Sequence, residues 1–151
     1  MYDKPYSLAE RGMQPGRRLN LRSSSSVGSI LYVEDDKDTR ELVTYVLARS
    51  RYKVIPAENC DDAVMIARSS QFDLYLIDNW MSECSGIDLC KQLREFNSWT
   101  PILFYSGAGY ERDKQQALDA GAQGYLVKPV DYDELIEEIS RIISEAKRTL
   151  R

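Results

Sequence analysis

From Ile30 onward the chain repeats one unit five times: a short β-prone apolar run, then a stretch whose apolar residues fall at helical spacing. The runs are Ile30-Leu31-Tyr32-Val33, Tyr52-Lys53-Val54-Ile55, Leu74-Tyr75-Leu76-Ile77, Pro101-Ile102-Leu103-Phe104-Tyr105 and Gly124-Tyr125-Leu126-Val127. They begin at residues 30, 52, 74, 101 and 124, so successive starts are 22 to 27 residues apart. Such a gap holds one crossover helix, and strands joined by crossover helices pair in parallel. Right-handed crossovers cover both faces of the sheet, which is why the runs read as continuous rather than alternating. The expected fold is a single five-stranded, doubly wound α/β domain.

The helical stretches carry their own signals. Asp38 to Ser50 contains Leu42, Val43, Val46 and Leu47 at helical spacing. The second strand is expected to stop at Pro56, after which Asn59 caps a helix bearing Ala63, Val64, Ile66 and Ala67. Ile87, Leu89, Cys90 and Leu93 mark the third helix, and Ala117 and Leu118 a fourth that ends near Gly121. Leu135, Ile136, Ile139, Ile142 and Ile143 form the apolar stripe of the last.

Ahead of this body, residues 1–29 hold five basic and two acidic side chains, the run Ser23 to Ser26, and few large apolar residues. Such a segment cannot bury enough apolar surface to offset its ordering entropy. The expectation is a flexible tail over 1–29 and a folded domain over 30–148. Two alternatives stand beside the tail: a basic arm docking on a partner or on an acidic face of its own domain, and a translation start at Met13. The 122 residues after the tail carry a net charge of −7 within a chain total of −4, which disfavours direct nucleic-acid binding.

In a doubly wound sheet, ligands bind beyond the carboxyl ends of the strands. The first strand is followed there by Glu34, Asp35 and Asp36, the third by Asp78, the fourth by Ser106 and the fifth by Lys128-Pro129. Singly, each reads as a loop residue or a helix cap; together they converge on one edge of one sheet. Glu34, Asp35 and Asp78 brought close repel one another, and a hard divalent cation relieves this; carboxylate, backbone carbonyl and water are the ligands of Mg²⁺. Lys128 adds a compact positive charge suited to a phosphoryl oxygen, and the Ser106 hydroxyl can donate to the same group. No glycine-rich loop follows the first strand, which disfavours a flavin or dinucleotide.

Composition narrows the chemistry further. With no histidine in 151 residues, Ser-His and Cys-His pairs, histidine-ligated metals and a phosphohistidine carrier are excluded. Cys60, Cys84 and Cys90 are odd in number and widely spaced. They are read as free thiols in a reducing compartment, Cys84 being an ordinary exposed one. No apolar run approaches the ~20 residues that cross a bilayer, and the N-terminus lacks the order of a secretory signal. A cytoplasmic protein without membrane contact is expected.

The strand-end motifs Ile30-Leu31-Tyr32-Val33-Glu34-Asp35-Asp36, Asp73-Leu74-Tyr75-Leu76-Ile77-Asp78, Ser85-Gly86, Pro101 to Gly107 and Gly121 to Pro129 together resemble a response regulator receiver domain of the chemotaxis-regulator type. The resemblance runs from residue 30 to about 147, with five motifs in the family's order. It implies the flavodoxin-like strand order 2-1-3-4-5. It also implies that Asp78 is the phosphoacceptor for a sensor histidine kinase or histidine phosphotransfer protein. Glu34, Asp35, Asp78 and the Trp80 backbone carbonyl would hold Mg²⁺, while Ser106 and Lys128 take the hydroxyl and lysine positions. Lys128-Pro129 would be cis, and Gly107 would leave room for the phosphoryl group. Tyr125 takes the place of the switch aromatic, against the plain alternative of a half-buried strand residue.

The output implied is binding rather than enzymatic turnover, through the fourth helix, fifth strand and fifth helix. The partner is an unidentified downstream protein or a second copy in a homodimer, with no output domain of the chain's own. The chain departs from the family at Ser82, where a proline is common, and at the bulky Trp80. Trp80 either obstructs the water that attacks the phosphoryl group, slowing autodephosphorylation, or points outward as a docking residue. Two rival readings are a pseudo-receiver that never takes phosphate and an aspartate-nucleophile phosphatase. The phosphatase lacks its usual acidic residue, because Trp80 stands two past Asp78.

Overall fold

The computed structural model describes residues 26–150. Strands and helices alternate along them: β1 (Gly28–Val33), α1 (Lys37–Arg49), β2 (Tyr52–Ala57), α2 (Cys60–Ser69), β3 (Leu74–Ile77), α3 (Gly86–Phe96), β4 (Ile102–Ser106), α4 (Glu111–Asp119), β5 (Gly124–Val127) and α5 (Tyr132–Thr149). The five strands form one parallel sheet in the order β2-β1-β3-β4-β5. The doubly wound sheet and its 2-1-3-4-5 order are therefore as expected. The expected tail, residues 1–29, lies outside the described residues up to Ser25. No helix among the described residues is long and apolar enough to cross a membrane.

Strand alternation divides the core in two. Leu31, Val33, Tyr75, Ile77, Ile102 and Phe104 face α2, α3 and α4. Ile30, Tyr32, Leu74, Leu76, Leu103 and Tyr105 face α1 and α5. All four residues of β3 are fully buried, so both of its faces are covered. This is the physical content of an unbroken apolar run. In α5, Leu135, Ile139, Ile142 and Ile143 are buried as the stripe requires, whereas Leu42 of α1 is 51% exposed and Val43 and Leu47 carry that helix's contact.

The helices begin where side chains accept the free amides of their first turns. Asp36 accepts from Thr39 N–H at 2.9 Å, Asn59 from Asp62 at 2.8 Å and Ser85 from Asp88 at 3.1 Å. Gly121, with φ of +109°, turns the chain from α4 into β5. The Arg94 guanidinium fastens this corner, donating to the carbonyls of Gly121, Thr100 and Asn97.

Two expectations are corrected. The second strand does not stop at Pro56 but runs through it to Ala57, with Pro56 in register with Tyr32. β2 is an edge strand, where a residue without an N–H leaves no ladder donor missing. The reading of all three cysteines as free thiols also fails. Cys60 and Cys84 form a disulfide, their Cα atoms 6.4 Å apart, and only Cys90 is free. Cys84 follows Cys60 by 24 positions, the chain between them runs along α2 and β3, and the fold returns Cys84 to the start of α2.

The approach of α3 to the end of β3 depends on Gly86. A Cβ there would lie 2.5 Å from the Asp78 carbonyl oxygen, 2.8 Å from Asn79 Cα and 2.9 Å from the Phe104 ring. Gly86→Ala is expected to cost about 1–3 kcal/mol by overpacking. Gly107→Ala, whose Cβ meets nothing within 4 Å, is expected to cost little. Equal urea midpoints for the two variants would contradict this account.

Candidate functional site

The ladder of the sheet continues one residue past its strands and fixes the backbone of the site. Asp78 N–H donates to the Val33 carbonyl at 3.0 Å, Glu34 N–H to Ala57 at 3.0 Å and Lys128 N–H to Ser106 at 2.9 Å. Glu34, Asp78 and Lys128 are thus set at one edge by main-chain hydrogen bonds before any side-chain contact is made. Arg40 of α1 adds to this by donating to the carbonyls of Glu34 at 2.9 Å and Asp35 at 3.2 Å, and it pairs with Glu58 at 3.8 Å.

The side chains then converge. A carboxylate oxygen from each of Glu34, Asp35 and Asp78 lies within 4.8 Å of the others. Glu34 and Asp78 are buried, at 1% and 7% exposure. Lys128 Nζ stands 2.6 Å from Glu34 Oε1 and 4.0 Å from Asp78 Oδ2, and 5.2 Å from the centre of the Tyr105 ring. Of the carboxylates that follow β1, Asp36 is the exception. It is exposed and spent on capping α1, and its hydrogen bonds from Thr39 hold its carboxyl below the ordinary range.

One lysine does not balance three carboxylates, and Glu34 shows the imbalance. Its carboxyl is pushed up from the ordinary 4.5 to about 7, by burial first and then by the neighbouring Asp78, against the opposing effect of Lys128. Glu34 Oε2 is buried with no hydrogen-bond partner. Three oxygen donors around an orphaned carboxylate oxygen form a cluster capable of holding a hard divalent cation.

The remaining expected residues fall around this cluster. The Ser106 side chain is fully buried, and its Oγ accepts the Ala108 N–H at 3.2 Å. The Ala108 carbonyl in turn accepts the Tyr125 hydroxyl, and the Tyr125 ring stacks on Phe104 at 5.5 Å. Ser106 and Tyr125 are therefore linked through one peptide unit. Lys128-Pro129 is cis. Trp80 follows Asp78 closely enough for its N–H to reach Asp78 Oδ1 at 3.4 Å, but its side chain is 59% exposed. That exposure favours the outward-pointing reading of the indole over an obstructing one.

Three features of the site were not read from the sequence. At Ser82 the missing proline signals only lost rigidity, whereas its N–H, which proline would lack, donates to Asp35 Oδ2 at 2.8 Å. Asn79, unremarkable as text, is buried at 4% exposure, and its carbonyl accepts the Gly86 N–H at 2.9 Å. Arg40 belongs to a helix face, and nothing in its spacing signals that it reaches back to two carbonyls of the preceding loop.

The raised Glu34 value has a consequence for stability. A carboxyl that holds its proton more tightly in the folded state stabilises fully below about 4.5, and this contribution is lost as the pH rises through about 7. The metal-free protein is expected to lose stability across that window, and Glu34→Gln to lose less. Urea midpoints of the two that run parallel from about pH 5 to about pH 8 would contradict the assignment.

Comparison with known proteins places the chain. The family described as the response regulator receiver domain matches residues 30–140. The transcriptional regulatory protein ResD of Bacillus subtilis is 33% identical over 120 residues, covering 80% of this chain and 50% of ResD. DltR of Streptococcus agalactiae, also a transcriptional regulatory protein, is 36% identical over 110 residues, covering 73% of this chain and 49% of DltR. The chain thus spans about half the length of these curated relatives. Among solved structures, the chemotaxis protein CheY4 of Vibrio cholerae superposes with a TM-score of 0.74 at 28% identity, covering 78% of this chain and 99% of CheY4. The Francisella response regulator 1452 receiver domain gives 0.73 at 26% identity, covering 78% and 98%. These relatives mix chemotaxis and transcriptional regulators, so the expected chemotaxis type narrows to the receiver alone. The chain belongs to the response regulator receiver domain family, a signalling module built on a parallel sheet with an acidic cluster at its carboxyl edge.

Proposed function

We propose that this chain is the phosphoacceptor of a two-component phosphorelay and that Asp78 takes the phosphoryl group. The donor would be a phosphohistidine on a sensor histidine kinase or a histidine phosphotransfer protein. The observation that carries the reading is the Asp78 carboxylate, nearly buried, with Glu34 and Asp35 beside it and Lys128 Nζ 4.0 Å away. An Asp78 oxygen forms the new O–P bond as the P–N bond to the partner's imidazole breaks. The electron pair returns to the imidazole nitrogen, which is reprotonated from solvent.

Glu34, Asp35 and Asp78, with the backbone carbonyl of Trp80, are the residues that would hold Mg²⁺. When bound, the ion offsets the charge of the transferring group. Lys128 is placed to leave Glu34 for a phosphoryl oxygen, and the Ser106 hydroxyl to donate to another. Gly107 leaves the adjoining space open, since a Cβ there would meet nothing within 4 Å.

The same contacts support a switch. Phosphorylation brings about one further negative charge and new acceptor oxygens to Asp78. Drawing Ser106 Oγ towards them takes it from the Ala108 N–H, and the Ala108 carbonyl is what the Tyr125 hydroxyl holds. The change is thereby delivered to α4, β5 and α5, where a downstream protein or a second copy of the chain would read it.

Incubation with a small phosphodonor and Mg²⁺ is expected to add one phosphoryl group to Asp78, seen by mass spectrometry of the intact chain, and Asp78→Asn to abolish it. An unmodified wild type would favour a constitutive binding module. Lys128→Ala is expected to slow uptake roughly 10²-fold, the effect of removing one preorganised charge from the transferring group.

A further inference from the structure

The disulfide lies beside the acidic cluster and joins two elements that border it. Cys60 is the first residue of α2 and is buried among the residues packed on β1 and β3. Cys84 stands just ahead of Ser85, the cap of α3, in the loop that runs from Asp78. Between the acidic cluster and Cys84, Met81 packs against the core but Ser82 and Glu83 are exposed, so little packing holds those two residues in place. Its tie to the cluster is the Ser82 N–H donated to Asp35 Oδ2 at 2.8 Å. The ends of the loop are fixed independently: the Asn79 carbonyl accepts the Gly86 N–H at 2.9 Å, and Trp80 bridges Ser85. The middle has the disulfide on one side and the Asp35 contact on the other.

Cys84 is also reachable. It lines an open groove of about 220 Å³ with Asp35, Glu58, Asn59, Met81, Ser82 and Glu83, and it is only half-buried. Cys90, by contrast, is fully buried in α3 and its Sγ lies 3.4 Å from the Ala120 carbonyl. Of the two bonded cysteines, Cys84 is thus the one a thiol from solvent can approach, Cys60 being buried.

We propose that Cys60 and Cys84 are a reversible dithiol–disulfide couple, a second covalent input whose state sets how firmly the Ser82 amide holds Asp35 at the cation cluster. The reactant is a dithiol, and the coupling to the cluster rests on the reading of Glu34, Asp35 and Asp78 as a cation site. In the reductive direction a thiolate attacks Cys84 Sγ, the bond to Cys60 breaks, and Cys60 leaves as a thiolate that takes up a proton. The second thiol of the reductant then displaces Cys84 from the mixed disulfide. Two electrons and two protons pass to the protein, and the dithiol becomes its own disulfide. The oxidised carrier of the same class reverses the sequence. With the tether open, the Ser82–Glu83 segment keeps its ends but gains freedom in the middle, and Asp35 loses part of its orientation. A carboxylate ligand is better organised for a metal when its second oxygen is held.

The experiment uses the chain purified without reductant and the same chain treated with dithiothreitol. Alkylation after denaturation is expected to find one free thiol, Cys90, before treatment and all three cysteines after it. Hydrogen exchange of the metal-free protein is expected to show the Ser82 amide exchanging about tenfold faster once reduced. Calorimetric titration is expected to show Mg²⁺ binding about tenfold more weakly to the reduced form. The double variant Cys60→Ser with Cys84→Ser should match the reduced wild type in exchange and be indifferent to dithiothreitol. A bond that resists dithiothreitol until the chain unfolds overturns the couple, and an unchanged Ser82 amide overturns the tether. Mg²⁺ binding to neither form overturns the cation-site reading, whereas equal binding to both overturns only the coupling, and the metal-free exchange decides the tether in either case.

Discussion

Parallel pairing obliges every strand of this sheet to end at the same edge, and the rest of the structure follows from what that edge must then contain. Each strand delivers its next residue to one line, with main-chain hydrogen bonds fixing Glu34, Asp78 and Lys128 one step beyond β1, β3 and β5. At that edge Glu34 and Asp78 are buried, while Asp35 stays partly exposed. Carboxylates gathered there lack the solvation that would ordinarily separate their charges. The Glu34–Lys128 pair absorbs part of the repulsion, and the unpartnered Glu34 Oε2 marks the part it leaves. The site is thus organised around an excess of negative charge that a hard divalent cation can offset.

The spacing of five apolar runs carries most of the architecture in the sequence itself. A parallel strand buried on both faces has to be apolar throughout, so β1, β3 and β4 announce themselves without tertiary information. β2 is the instructive exception. Its proline looks like a terminator, but whether a missing N–H matters depends on whether a neighbouring strand needs it. That is a property of position in the sheet rather than of the residue. The strand-end residues of the site were equally legible, because the edge at which parallel strands finish is set by topology.

What was not legible is what loops do once their ends are fixed. Ser82 carries its meaning in a backbone N–H and not in its side chain, and it acts on a residue 47 positions earlier. The cysteine pairing was hidden for a related reason. Counting three thiols and their spacing says nothing about where α2 and the loop after β3 come to lie. Only the β2–α2–β3 crossover brings Cys60 and Cys84 within bonding distance.

The fastening of α4 is uneven along its length. At its far end the Arg94 guanidinium grips the Gly121 carbonyl, and Cys90 Sγ adds a contact to Ala120. At its near end the helix follows Gly107 to Tyr110, three of whose four residues are exposed. Ala108 is the buried exception, its peptide held by Ser106 on one side and Tyr125 on the other. The Asp113 carboxylate accepts the Tyr110 N–H at 3.2 Å, which closes the first turn of α4 onto the same loop. The two ends of α4 thus answer to different neighbours, its start to β4 and β5 through Ala108 and its end to α3 through Arg94 and Cys90.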